Sequence, residues 1–143
     1  MMFRQVSLLL LVTMVAVVMA ACGGSGKSFT ADQAVQAFKD AGLEIEGVRD
    51  ITDEDVGTLV PKKHDSGKRF ELPSLGNEIG GRIFVYKKDS DLLEMKKFYD
   101  DLGENAPMLF SYTLKKGNIL VHLPGKLTEE QYEQYKSALE KLK

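Results

Sequence analysis

The longest apolar run in this 143-residue chain, Val6 to Val18, is cut off from every later apolar residue by Gly23-Gly24-Ser25-Gly26-Lys27-Ser28. A packed core must therefore be built from Phe29 onward. The run is broken only by Ser7 and Thr13, is preceded by Arg4, and exits through Met19, Ala20 and Ala21. A cationic start, a short apolar centre and small residues at the exit is the layout of a secretory signal. The run is short of the roughly 20 apolar residues a membrane-spanning helix needs. The expected division is a signal peptide over 1–21, a linker over 22–28 and a single domain over 29–143, which is room for one core.

Cys22 is the only cysteine, so no disulfide can form within the chain. Its position accounts for it. Met19-Ala20-Ala21-Cys22 resembles the lipobox of bacterial lipoproteins, in which an apolar residue and two small ones precede the cysteine. The resemblance implies a diacylglyceryl group on the Cys22 sulfur, the nucleophilic atom available there. It also implies cleavage between Ala21 and Cys22. The Gly/Ser stretch after Cys22 has the composition of a flexible tether. Gly26-Lys27-Ser28 matches the end of a phosphate-binding loop, but that motif needs a glycine where Ala21 stands.

Charge excludes one class of function. The chain carries 19 Lys+Arg against 21 Asp+Glu, and loss of residues 1–21 removes one cation, Arg4, and no acid. A general nucleic-acid binder needs the opposite balance to displace counterions from phosphates.

Beyond Phe29, Thr30-Ala31-Asp32-Gln33 fits a capping box, in which the Thr and Gln side chains satisfy each other's backbone N–H groups. Ala34, Val35, Phe38 and Ala41 then recur at helical spacing up to Gly42. A short strand is expected over Leu43 to Arg49. Residues 50–81 are poor in apolar residues and read as a long loop with one strand near Arg69 to Leu72. Arg82 to Tyr86 reads as a strand, with Ser90 or Asp91 capping a helix that Gly103 should stop. Leu109 to Leu114 and Ile119 to Leu123 form a hairpin about Lys115-Lys116-Gly117-Asn118. Thr128-Glu129-Glu130-Gln131 opens a last helix. The order implies an α+β domain: a small antiparallel or mixed sheet with about three helices packed mainly on one face.

Pro73-Ser74-Leu75-Gly76, Gly80-Gly81-Arg82-Ile83-Phe84, Glu94-Met95-Lys96-Lys97-Phe98-Tyr99 and Asn118-Ile119-Leu120-Val121 resemble a family of small lipoproteins of Bacillus-type bacteria, often labelled stress proteins. The resemblance implies a membrane-anchored envelope protein on the extracytoplasmic face, with a tie to stress, and carries no enzymatic activity.

Candidate chemistry is sparse. Asp53-Glu54-Asp55 lacks the Asn or Asp and Gly that a calcium loop needs at its fifth and sixth positions, where Gly57 and Thr58 stand. His64 and His122 lack metal-ligand spacing, and His122 should point away from the face shared by Val121 and Leu123. Ser66 and Ser74 lack a nucleophile-elbow context. No cofactor motif is present. The remaining candidate is the Gly-rich approach Gly80, Gly81 and Arg82, where a ligand would meet backbone amides beside a cation. The expected function is a non-catalytic binding or interaction module of the cell envelope, its membrane contact made through Cys22 and its envelope partner or ligand unknown. A small envelope hydrolase and an accessory subunit of a membrane complex are the alternatives.

Overall fold

A computed structural model of the protein describes residues 27–143. Ala21 and Cys22, with the expected signal peptide, lie outside the described residues. Five strands form one sheet: β1 (Glu46–Asp50), β2 (Ser66–Glu71), β3 (Gly80–Val85), β4 (Ser111–Lys116) and β5 (Ile119–Pro124). Their order is β1-β2-β3-β5-β4 and every neighbouring pair is antiparallel. Four helices accompany it: α1 (Ala31–Asp40), the single turn α2 (Asp53–Val56), α3 (Asp89–Asn105) and α4 (Glu129–Glu140). The protein is an α+β domain with an antiparallel sheet.

The helices divide between the two faces instead of gathering mainly on one. Side chains alternate across a strand, and here both alternating sets are apolar at the sheet centre. Ile83, Val121, Leu114 and Phe70 pack under α1 and α4. Phe84 and Leu120, their neighbours on β3 and β5, pack against Leu92, Met95 and Tyr99 of α3. Each large side chain so buried contributes about 1.5–3 kcal/mol of transfer free energy, so neither face could be left to solvent cheaply. Phe38 of α1 locks the first layer, meeting Tyr135 of α4 edge-on at 5.1 Å and Phe70 at 6.2 Å.

The two capping boxes hold, whereas the cap expected at Ser90 or Asp91 does not: α3 starts at Asp89 with Lys88 at its N-cap position, and both residues lie within its first turn. Thr30 and Gln33 make the capping box of α1, and Thr128 and Gln131 that of α4. Gly42 follows α1 with φ of 70°, the left-handed conformation that closes a helix. Gly103, by contrast, does not stop α3, which runs on to Asn105. Phe110 packs so closely over Gly103 that an added Cβ would sit 3.1 Å from its ring. The helix gives way instead at Ala106, ahead of Pro107, as the residue before a proline should. Phe110 lies outside β4 and stays exposed.

Residues 50–81 are not a long loop. They contain the end of β1, α2, all six residues of β2 and a 3-10 turn at Pro73–Leu75. β2 lies inside the sheet, paired on both sides. Its sequence, SGKRFE, hides this because Lys68 and Arg69 are not typical strand formers. Tertiary partners settle it: Lys68 Nζ lies 2.6 Å from Asp50 of β1 and 3.7 Å from Asp32 of α1.

Candidate functional site

The antiparallel register lines up five polar residues in one row across the sheet. Arg49 of β1 stands opposite Arg69 of β2, which stands opposite Arg82 of β3. Arg82 faces His122 of β5, and His122 faces Thr113 of β4. Besides Arg4, these three are all the arginines the chain has. Like charges directly opposite each other on one face destabilise a sheet, so such a row persists only with compensation.

Compensation comes from α2 at one end. Asp55 accepts two hydrogen bonds from Arg49, at 2.6 and 2.7 Å, and sits 3.7 Å from Nε of Arg69. The Arg49 hydrogen bond, aided by Thr52, holds the Asp55 carboxyl far below the usual carboxylate range against its own desolvation. The other partners are neutral. Arg69 donates to the carbonyl of Glu78 at 2.8 Å, and Arg82 to the carbonyl of Asp55 at 2.6 Å. The third contact of the row joins Nη2 of Arg82 to Nδ1 of His122 at 3.0 Å. A guanidinium has no acceptor and keeps its protons. Nδ1 must therefore accept, which assigns the neutral tautomer with hydrogen on Nε2. Burial, with Arg82 adding to it, pushes the His122 imidazole down to about 3, in agreement with that assignment.

α3 lies over the middle of the row. The Tyr99 ring covers His122 with centroids 4.3 Å apart, and the Arg82 guanidinium carbon lies 5.9 Å from the Tyr99 and Phe84 rings. At the far end Thr113 donates to Asp100 at 2.7 Å and accepts from Lys96 at 3.0 Å, and Lys96 and Asp100 pair at 2.8 Å. Asp100 is thereby committed to β4. Among the described residues no carboxylate lies within ion-pair distance of Arg82, and burial lowers its affinity for its proton. The Tyr99 hydroxyl is buried without a hydrogen-bond partner, the one such side-chain atom among the described residues.

Three residues of this row, Arg69, Arg82 and His122, form the floor of a cleft of about 610 Å³. Arg69, Arg82, His122 and Tyr99 line it, Lys126 stands at the mouth, and Met108, Leu109 and Phe110 form an apolar rim. Met108 is 91 % exposed. A wider groove of about 780 Å³ runs past Phe29, Lys87, Lys115 and Asn118, against the first described residues. The cleft beneath α3, by contrast, has its walls within the described chain: the sheet, α3 and the Pro107–Phe110 segment.

Of the sequence candidates, Arg82 and Gly80 line this site, and neither Gly80 nor Gly81 acts as expected. Gly80 and Gly81 are strand residues, paired with Glu71 and Phe70 of β2, so they offer no open loop of amides. A Cβ on Gly80 would fall 1.8 Å from the Phe70 carbonyl oxygen, and one on Gly81 2.3 Å from the Phe70 ring. Their smallness admits Phe70 to the core. His122 does point away from Val121 and Leu123, into the cleft. Asp53-Glu54-Asp55 forms α2, with Asp55 turned onto the arginines. His64 packs against Phe84 at 5.1 Å, and Ser66 and Ser74 lie elsewhere. Sequence reasoning missed Arg49, Arg69 and Tyr99. The available signal was that each arginine after Cys22 falls in an extended segment while every other cation there is lysine.

No protein family, curated protein or solved structure matches the chain.

Proposed function

We propose that the protein is an exported, lipid-anchored binding module of the cell envelope. In this reading the chain is cut after Ala21, held at the extracytoplasmic face of the membrane by lipid on Cys22, and presents the cleft beneath α3 to a ligand. The observation that carries the anchor is the placement of the chain's one cysteine behind Met19-Ala20-Ala21, with Arg4 and the Val6–Val18 run before it.

The fold agrees with a short tether. Phe29 donates to Asn118 at 2.6 Å and accepts from the Asn118 amide at 2.9 Å, pinning the start of the domain to the β4–β5 turn. The seven Cα–Cα steps from Cys22 to Phe29 reach at most about 25 Å, so the domain would stay close to the bilayer. Among the described residues no helix is long and apolar enough to cross a membrane. Binding, as opposed to catalysis, is supported by the state of the site. His122 is a poor base near neutral pH, with Nδ1 already engaged, and Asp55 is committed to Arg49.

Metabolic labelling with a fatty-acid analogue tests the anchor. The wild-type protein should take up label and be processed, whereas Cys22→Ala should remain an unlabelled precursor. Labelling that persists in Cys22→Ala would overturn the assignment.

A further inference from the structure

We propose that the cleft beneath α3 binds a phosphate monoester carrying an apolar tail, its head on the Arg82 side of the arginine row and its tail along Met108 and Phe110. The inference rests on reading the protein as a binding module and names the class of ligand.

Three independent features point to it. The first is uncompensated positive charge. Arg82 is half-buried, and its hydrogen-bond partners are a carbonyl and a neutral imidazole. The carboxylate that pairs with the row at that end, Asp55, is held in a two-pronged contact by Arg49 and lies near Arg69. Desolvating a charge without an opposite partner is costly, and an anion entering the cleft would supply that partner. Glu78 is the opposing acid at the mouth; it is exposed, and its carbonyl is what Arg69 engages.

The second feature is an unused donor. The Tyr99 hydroxyl is buried without a partner although Tyr99 is only 4 % exposed and lines the cleft. Leaving such a group unpaired is costly. The hydroxyl is closed off from solvent, so a ligand oxygen would satisfy it once the Tyr99 side chain or its neighbours shift. The His122 tautomer adds Nε2–H, and the Arg69 and Arg82 guanidiniums keep N–H groups that none of their protein partners takes. These donors outnumber what two carboxylate oxygens can accept, which favours the three terminal oxygens of a phosphate monoester. Arginine also suits phosphate through paired N–H contacts.

The third feature is the rim. Met108 is 91 %, Leu109 53 % and Phe110 47 % exposed, contiguous on one edge of the cleft. A cluster of exposed large apolar side chains on a small domain marks a contact surface. Beside a cationic floor it fits an amphiphile better than an inorganic anion.

The test is titration of the full chain, purified in non-ionic detergent, with hexyl phosphate, inorganic phosphate, hexanoate and hexyltrimethylammonium. The His122 ring and Arg82 Nε–H resonances report occupancy. Hexyl phosphate should shift both and bind roughly tenfold or more tightly than inorganic phosphate, because the tail buries apolar surface. Arg82→Gln should weaken it by about tenfold or more, as expected for loss of a charge-assisted contact. Met108→Ser, at an exposed position that folding does not depend on, should remove most of the advantage over inorganic phosphate and leave phosphate binding itself unchanged. Tighter binding of hexanoate would overturn the phosphate head, and equal binding of hexyltrimethylammonium would overturn the anion site. No shift with hexyl phosphate at millimolar concentration, or an unaltered affinity in Arg82→Gln, would overturn the ligand class. None of these outcomes bears on lipidation of Cys22, which fatty-acid labelling decides separately.

Discussion

Arg82 donates to Nδ1 of His122 across the β3–β5 pair at 3.0 Å, so a half-buried guanidinium rests on a neutral imidazole where a carboxylate would ordinarily stand. The pair fixes the protonation state of both groups and ties the stability of the sheet to pH.

His122 titrates near 6.5 when unfolded and is pushed down to about 3 in the fold, by burial first and by Arg82 second. A depressed folded value means the unfolded chain takes up the proton first. The stabilisation is complete above about pH 6.5 and is lost as pH falls toward 3. His64 is lowered as well, through desolvation, and acts in the same direction. Asp55 is depressed too, but its contribution fades only below the unfolded carboxylate value near 4. Between about pH 6.5 and 4 the histidines therefore dominate, and the loss should reach about 3 kcal/mol for His122. His122→Gln can still accept from Arg82 and does not titrate. Urea denaturation at several pH values should show a flatter profile for it than for wild type; an equally steep one would assign the pH dependence elsewhere.

Arg82 itself should contribute little to folding. Arg82 has no carboxylate partner to strand, and an apolar side chain of similar length avoids the desolvation that an unpaired charge bears. Here the substitution also relieves repulsion from Arg69, which stands opposite in the register. Arg82→Met is expected to lie within about 1 kcal/mol of wild type in chemical denaturation. A loss of about 3 kcal/mol or more would mean that the row is a structural keystone and not a site retained for a ligand.

Gly81 behaves differently. A methyl group there would overlap the Phe70 ring, whose nearest atom lies 2.3 Å from the built Cβ. Phe70 is fully buried between Phe38 and the sheet and has nowhere to retreat. Gly81→Ala should cost about 2–3 kcal/mol, the range for overpacking a well-filled core. Adding Phe70→Leu should recover part of it. If Gly81→Ala is neutral, the glycine is not there to admit Phe70.

What was legible in the sequence was local. The boxes Thr30–Gln33 and Thr128–Gln131 are short-range codes, and both helices start where they say. Runs of β-forming residues around Ile83 and Val121 marked their strands, because both faces there bury apolar residues. β2 was legible only at its end, near Arg69 to Leu72, because the rest of its strand character comes from neighbours on both sides, with Lys68 satisfied by Asp50 and Asp32. The site escaped for the same reason. Arg49, Arg69 and Arg82 are far apart in sequence and become neighbours only through register. Tyr99 falls on the apolar stripe of α3 and reads as core, which its ring is. Nothing in the sequence marks its hydroxyl as unpartnered.

That hydroxyl gives the sharpest separation of stability from binding. The Tyr99 ring is held on three sides, against Phe98 at 5.5 Å, Phe84 at 6.3 Å and His122 at 4.3 Å, so removing one oxygen should leave it in place. Burial pushes the phenol upward, with Arg82 opposing, so the group enters the fold as an uncharged donor at neutral pH. An uncharged donor buried without an acceptor is a net cost, and deleting it returns that cost. Tyr99→Phe should therefore raise stability by about 1 kcal/mol in thermal or urea denaturation. The same substitution should weaken hexyl phosphate binding severalfold, since it removes a donor from the cleft. The two effects have opposite signs, which simple damage to the fold would not produce. A less stable Tyr99→Phe would reveal a partner for the hydroxyl in the folded protein, such as a buried water. A more stable variant with unchanged affinity would remove Tyr99 from the site.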